Sequence, residues 1–294
     1  MNVRPLTEDD LPALAELLAR DEERLTGKPS RIGAADVREW TSMCDLEHDS
    51  WLAEDESGIA AAAWTHTRDD LAVGIVAVGL GAQASGIGSE FVEHTERSAR
   101  AHGAVRMHQF ALGVDTYARE LLASRGYHDV RHFYEMAIEL TERPELRADV
   151  AVESLRAEEA TAFYDALDAA FQDHWEHHTQ PFVEWYERQS SSPTFDLSLW
   201  LLIRSDGEIA AVARNEANRN GGGYVGALGV RREFRGRGYA KALLYHVFAE
   251  FWDRGLPRVT LGVDATNPTG ATHLYESVGM HVEAENIVYE KALA

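Results

Sequence analysis

Four arginines stand close together in one short stretch of the 294-residue chain: Arg231, Arg232, Arg235 and Arg237. They alternate with Gly236 and Gly238, and a helical stripe of apolar residues follows from Tyr239. Glycines let backbone N–H groups approach a phosphate closely, and a helix N-terminus adds partial positive charge. Arginine side chains bind phosphate oxygens in pairs. The stretch therefore predicts a site for a ligand that carries several phosphates.

Two other nucleotide loops can be compared with this stretch. Residues 79–84 match G-x-G-x-x-A as letters, but the helix begins several residues later and no acidic ribose partner follows. The phosphate loop G-x-x-x-x-G-K-[ST] does not occur. A nucleotide-dependent oxidoreductase is therefore only an alternative prediction.

A metal site is not predicted. His174, His177 and His178 have spacings that could face one way on a helix, but no nearby cysteine or defined fourth ligand completes a set. The single cysteine, Cys44, cannot form an internal disulfide, which is typical of a reducing compartment. We expect a cytoplasmic protein without a bound metal.

The composition limits the partners. With 49 acidic and 28 basic residues the formal charge is −21, and such a field repels nucleic acid and attracts cationic small molecules. No secretory signal opens the sequence, and the uncharged stretch 71–89 contains five glycines, which argue against a membrane helix. We expect neither a nucleic-acid nor a membrane partner, and the sequence leaves the oligomeric state open.

The glycine loop occurs twice. Gln83, Gly86 and Gly88 repeat as Arg235, Gly238 and Ala240, 152 residues later, and further markers keep nearly the same offset. The acidic stretch 141–149 then separates two copies, which predicts domains over 1–140 and 150–294 with a linker between them.

The predicted elements indicate a mixed α/β fold built twice. In the second copy, strands are predicted near 150–155, 197–204, 208–214, 224–230 and 258–263, with a final strand that ends at Tyr289. Helices are predicted over 157–171, after Pro181, over 238–252 and over 269–278. Each domain is expected to be a central mixed sheet flanked by helices.

These motifs resemble the GCN5-related N-acetyltransferases (GNAT). The family signature [QR]-x-x-G-x-[GA] at a strand-to-helix junction appears in both copies, at Gln83/Gly86/Gly88 and Arg235/Gly238/Ala240. A second block of the family is matched by Asn267, Leu274, Tyr275, Gly279 and Met280. The tandem arrangement and the segments 171–175 and 263–267 are similar to mycothiol synthase relatives.

The resemblance implies acetyl-CoA as the cosubstrate. The strand edge at Leu228, Gly229 and Val230 would pair with the pantetheine arm and polarise the thioester carbonyl. The pyrophosphate and neighbouring groups would be bound by Arg235, Gly236, Arg237, Gly238, Tyr239, Ala240 and Asn267. Tyr275 would be the general acid that protonates the departing thiolate. Phe171, His174 and Trp175 would lie beside the acceptor pocket.

The general base stays open. The family subgroup has a glutamate on the strand before the loop, and here that position is Tyr224. Asp264, Glu216 and His174 are the other candidates.

The first copy lacks the residues that would bind phosphate and donate a proton. Its loop has none of the four arginines, and Leu122 stands at the position of Tyr275. Gln83, Gly86 and Gly88 make a second CoA site possible there, with Tyr117 or Tyr127 as substitute acids. We expect the first copy to be degenerate and non-catalytic.

The predicted function is acetyl-CoA-dependent transfer of an acetyl group to a primary amine of a small cationic molecule. An amino sugar, an aminoglycoside-like compound and a mycothiol-precursor-like compound all fit this description. A non-catalytic acyl-CoA sensor and a nucleotide-dependent oxidoreductase are the alternatives.

Overall fold

The computed structural model describes residues 1–56, 58–83, 85–219, 221–266 and 270–293. The chain divides into two compact units, Met1–Tyr134 with Ala284–Ala294, and Glu135–Glu283. Each unit combines strands of a mixed sheet with helices, so the predicted mixed α/β fold class is confirmed.

The units do not follow the boundaries expected from the sequence. The end of the chain belongs to the first unit, whereas residues from Glu135 onward belong to the second. The sequence repeat locates two copies of a motif, but it does not determine which copy the last strand pairs with. That choice is made by long-range pairing, here of the last strand with residues 106–112.

The first unit contains a sheet in the order β1-β2-β3-β4-β5-β12. Its strands are β1 (Asn2–Arg4), β2 (Ser50–Asp55), β3 (Gly58–Arg68), β4 (Leu71–Val78), β5 (Arg106–Leu112) and the later part of β12 (His281–Ala292). Its helices are α1 (Leu11–Thr26), α2 (Ala34–Thr41), α3 (Ile87–Ala101) and α4 (Thr116–Ser124). Leu11, Leu14 and Trp64 are buried between α1 and the sheet.

The second unit contains strands in the order β6-β11-β10-β9-β8-β7. Its strands are the later part of β6 (His128–Glu139), β7 (Glu153–Ser154), β8 (Leu201–Ser205), β9 (Glu208–Arg219), β10 (Gly222–Val230) and β11 (Arg258–Asp264). Its helices are α5 (Ala160–Phe171), α6 (Phe182–Ser190), α7 (Tyr239–Asp253) and α8 (Ala271–Glu276).

Most predicted elements of the second copy are present, with shifted ends. The strand expected from Leu197 begins at Leu201, because Leu197–Leu199 forms a short 3-10 turn. The side chain of Asp196 caps this turn by accepting a hydrogen bond from the backbone N–H of Ser198. The apolar stripe of α7 is buried as expected, through residues such as Leu243, Val247 and Phe251. No helix in the described ranges is long and apolar enough to span a membrane.

Candidate active site

A cleft opens in the second unit where two parallel strands separate. β10 and β11 pair at Gly223 with Val259 and at Tyr224 with Thr260. Beyond Tyr224, β10 stays paired with β9, but its register shifts between Val225 and Ala227, which is the mark of a β-bulge. The cleft encloses about 370 Å³, and residues 225–230 and 262–264 line it. It exposes a strand edge whose backbone groups can pair with an extended ligand.

The glycine loop and the first turn of α7 form another wall of this cleft. Gly236 and Gly238 both have φ of +78°, a left-handed conformation that favours glycine, and Gly238 is the N-cap of α7. The first backbone N–H groups of a helix lack partners within the helix and attract anions. The predicted loop therefore has the backbone of an anion site.

Arg235 fastens this loop to the rest of the unit. Its guanidinium donates to the carbonyl oxygens of Val230 at 3.1 Å and Ala170 at 3.2 Å, and to the Asp173 carboxylate at 3.2 Å. The hydrogen bond from Arg235, with Arg232 in support, holds the pKa of Asp173 below its usual range. Arg235 therefore ties the end of β10 to the end of α5 and shapes the cleft.

The other three arginines also have partners within the protein. Arg231 pairs with Glu208 at 2.8 Å and Glu233 at 2.6 Å, and Arg232 pairs with Asp173. The Arg237 guanidinium lies 5.2 Å from the centre of the Phe234 ring. The structure thus does not present the four arginines as one open anion patch, because acidic residues distant in sequence neutralise part of it.

Tyr275 is buried in α8 and lines the cleft. Burial, with a smaller contribution from Tyr224, raises the pKa of its phenol. The hydroxyl therefore keeps its proton well above neutral pH, as a general acid must.

Asp264 and His174 line the cleft as well. Asp264 is 2% exposed, and its Oδ1 accepts from the backbone N–H and the hydroxyl of Thr266, both at 2.9 Å. Nδ1 of His174 lies 3.2 Å from the carbonyl oxygen of Trp175. A carbonyl only accepts, so this bond places the proton of a neutral imidazole on Nδ1 and leaves Nε2 as the acceptor.

Glu216 and Tyr224 face each other across β9 and β10. Glu216 accepts from Arg214 at 2.8 Å, Arg219 at 3.1 Å and Thr194 at 2.8 Å. Burial would raise the pKa of Glu216, but the two arginines outweigh it and lower the pKa. Burial raises the pKa of the Tyr224 phenol. A carboxylate held this way and a neutral phenol are both poor proton acceptors.

The remaining predicted residues are placed as follows. Phe171 lines the cleft next to Gly229, where an added Cβ would lie 2.7 Å from the Cβ of Ala170. Leu228 and Val230 line it too. Asn267 lies outside the described residues.

Two of the three histidines lie beside acidic residues. His177 pairs with Asp168 at 3.0 Å, and His178 lies 3.6 Å from Glu176. In the described part of the chain, no three potential ligands converge.

The corresponding region of the first unit is filled by side chains. At Gly88 an added Cβ would lie 2.8 Å from the Tyr117 hydroxyl and 2.9 Å from Leu121. At Gly74 it would lie 2.3 Å from Met107. The other substitute acid, Tyr127, is buried in the core of that unit.

Sequence reasoning missed three residues of this site. Asp173 binds two of the loop arginines, and the Arg147 guanidinium lies against Gly238. Gly226 forms the bulge, with the Arg214 guanidinium packed on it. Of these three residues, only Gly226 could have been noticed in the sequence, because a glycine within a strand is typical of a bulge.

Comparison with known proteins supports the resemblance. The acetyltransferase (GNAT) family model matches residues 160–280. A mycothiol acetyltransferase of Cellulomonas flavigena is 28% identical over 227 residues, which are 72% of this chain and 65% of that protein. The match thus spans less than two thirds of the length of that relative.

Solved structures resemble the whole chain. A GCN5-related N-acetyltransferase from Sphaerobacter thermophilus superposes with a TM-score of 0.86 at 29% identity, covering 99% of this chain and 95% of that one. A tandem GNAT protein from the clavulanic acid biosynthesis pathway shares the fold, with a TM-score of 0.75 at 15% identity over 100% and 98% of the two chains. The strand separation, the glycine loop, the matched family model and these relatives agree: residues 160–280 match the GNAT acetyltransferase family, and the whole chain is similar in fold to a GCN5-related N-acetyltransferase and to a tandem GNAT protein.

Proposed function

We propose that the second unit transfers the acetyl group of acetyl-CoA to a primary amine of a small molecule. The observation that carries this proposal is one cleft lined by the separated edge of β10, the glycine N-terminus of α7 and the buried phenol of Tyr275.

Each part of the cleft matches a part of acetyl-CoA. The edge at residues 228–230 offers backbone groups to the amides of a pantetheine arm, as an added strand would. The first amides of α7 would hold the pyrophosphate, because they carry partial positive charge and have no partner within the helix. Gly229 keeps the edge close to α5, since any side chain there would meet Ala170.

The reaction requires two proton transfers, and side chains of the cleft carry them out. Acyl transfer forms a bond between the amine nitrogen and the carbonyl carbon and breaks the carbon–sulfur bond. Tyr275 donates its proton to the departing sulfur, and the raised pKa of the phenol keeps that proton available. The amine must lose a proton to a base.

His174 is the base we propose. It lines the cleft, and its bond to the Trp175 carbonyl leaves Nε2 able to accept. Asp264 is the second candidate, although one of its oxygens already caps the turn at Thr266. Glu216 and Tyr224 are not proposed as the base. Two arginines lower the pKa of the Glu216 carboxylate, and burial keeps the Tyr224 phenol protonated.

We propose that the first unit does not catalyse transfer. Tyr117 and Leu121 occupy the space at the start of α3 that corresponds to the open cleft beside Ala240. The acceptor is proposed to be a cationic amine such as an amino sugar or a mycothiol-precursor-like compound. The net charge of −21 and the mycothiol acetyltransferase relative support this class.

A thiol-release screen tests the proposal. The protein is incubated with acetyl-CoA and a panel of amines, and free thiol is measured, with NADPH binding as a parallel titration. We expect acetyl-CoA binding and amine-dependent thiol release. Binding of acetyl-CoA without release for any amine would favour a sensor, and binding of NADPH alone would favour an oxidoreductase.

A further inference from the structure

The linker before β7 brings one arginine to the glycine loop. A Cβ added to Gly238 would lie 2.6 Å from Nη1 of Arg147, so this guanidinium packs directly on the N-cap of α7. Residue 147 lies about ninety positions before the loop, and nothing in the loop motif points to it.

The guanidinium is bound on one side only. Its Nε and Nη2 donate to the two oxygens of Asp149, at 3.1 Å and 2.6 Å. Nη1, the nitrogen that faces Gly238, has no acceptor among the described residues. The side chain of Arg147 is 37% exposed and that of Asp149 is 67% exposed, so both can be reached from solvent.

This placement is electrostatically unfavourable without an anion. The N-terminus of a helix carries partial positive charge, so a cation beside it is repelled. Asp149 now supplies the compensating negative charge, in a fork-to-fork geometry that a phosphate can equally adopt.

We propose that Arg147 is a binding residue for the pyrophosphate of the CoA cosubstrate, and that Asp149 holds its guanidinium until the phosphate takes its place. This inference rests on the proposed function, because it concerns the same cleft. It assigns a part in CoA binding to the segment 141–149, which belongs to the second unit.

A second linker arginine provides a matched control. Arg143 forms the same kind of two-oxygen pair, with Asp253 at 2.8 to 3.1 Å. Asp253 is the last residue of α7, which has 15 residues, so this pair lies about 20 Å along the helix from Gly238. Arg143→Ala removes the same charge from the same segment without touching the loop.

The experiment is calorimetric titration of CoA, 3′-dephospho-CoA and pantetheine into the full chain and its variants. Arg147→Ala should raise the Kd of CoA about tenfold, the usual effect of one charge-assisted hydrogen bond. Dephospho-CoA should show the same loss and pantetheine none. Arg143→Ala should leave all three unchanged. Asp149→Ala should bind CoA as tightly as the wild type or more tightly, since a competing carboxylate is gone.

Four results would overturn the inference. These are an unchanged Kd in Arg147→Ala, an equal loss in Arg143→Ala, a loss that disappears with dephospho-CoA, and a loss for CoA in Asp149→Ala as large as in Arg147→Ala. The last would mean that the linker pair acts only by holding the fold. Failure of the wild type to bind CoA would instead reject the proposed function itself.

Discussion

The two units share a strand, a glycine loop and a helix, but they differ in where the parallel pairing beside the strand ends and in whether a bulge follows. In the first unit, β4 pairs with β5 from Leu71–Arg106 to Gly74–Gln109, although β4 continues to Val78, and β4 keeps a continuous register with β3. In the second unit, parallel pairing of β10 and β11 ends at Tyr224 and a bulge follows.

The side chains that pack on the two strands also differ. Gly74 of the first unit corresponds to Gly226 of the second, and the ends of the Met107 and Gln109 side chains, from β5, pack on Gly74. The end of the Arg214 side chain, from β9, packs on Gly226. A backbone motif alone thus does not make a site; the neighbouring strand and helix must also leave its space free.

The largest effect is expected for Tyr275→Phe. This change keeps the packing of the buried ring but removes the proton donor, so turnover should fall about 100-fold or more while CoA affinity changes little. Because the pKa of Tyr275 is raised, loss of its proton should not limit the rate from neutral pH up to about pH 10.

Leu122→Tyr in the first unit is the matched control for Tyr275. It should create no activity, since Tyr117 and Leu121 still fill the space beside Gly88. Steady-state and single-turnover kinetics measure both variants. Full turnover by Tyr275→Phe when chemistry limits the rate would mean that the proton comes from another group.

His174→Gln should lower turnover at neutral pH at least tenfold. Asp264→Asn should lower turnover less, because one oxygen of Asp264 already caps the turn at Thr266. Single-turnover kinetics compares the two variants. A larger loss in Asp264→Asn than in His174→Gln would assign the base to Asp264.

Arg235→Ala should raise the Kd of CoA about tenfold, because three bonds that position the loop are lost together. Arg232→Ala removes one exposed ion pair and should change the Kd less than threefold. Calorimetry on the two variants compares them. Equal losses would restore the idea that the loop arginines act as one charged patch.

Gly229→Ala and Gly74→Ala test packing in the two units. Each introduces a methyl group into a close contact, 2.7 Å from Ala170 or 2.3 Å from Met107, and should lower the free energy of unfolding by about 1 to 3 kcal/mol. Only Gly229→Ala should also weaken CoA binding, by several fold. Denaturant unfolding and titration separate the two effects, and a weaker CoA affinity in Gly74→Ala would link the first unit to binding.

The smallest effect is expected from the net charge of the protein on its preference among amines. The net charge of −21 should favour polycationic amines by a few fold at low salt, and the preference should weaken as salt screens it. Relative kcat/KM values over a panel of amines at two salt concentrations measure it. Faster turnover of neutral or anionic amines at low salt would contradict it.

The parts of the site that carry a sequence motif could be predicted, and the parts that depend on distant packing could not. The glycines at 236 and 238 located the loop because a left-handed backbone restricts the residue type. Asp173 and Arg147 reach the same loop from segments whose sequences carry no phosphate motif. The unit that the last strand joins depends on which sheet edge is free, and a sequence repeat gives no information about that edge.

The central claim is that CoA binds at the loop of the second unit and not at its counterpart in the first. Gly238 and Gly86 are both helix N-caps in the left-handed conformation, with φ of +78° and +86°, so a tryptophan imposes similar backbone strain at either position. Calorimetric titration of acetyl-CoA into Gly238→Trp and Gly86→Trp compares the two loops directly. We expect the binding event to disappear in Gly238→Trp and to persist in Gly86→Trp; its loss in Gly86→Trp with retention in Gly238→Trp would contradict the assignment.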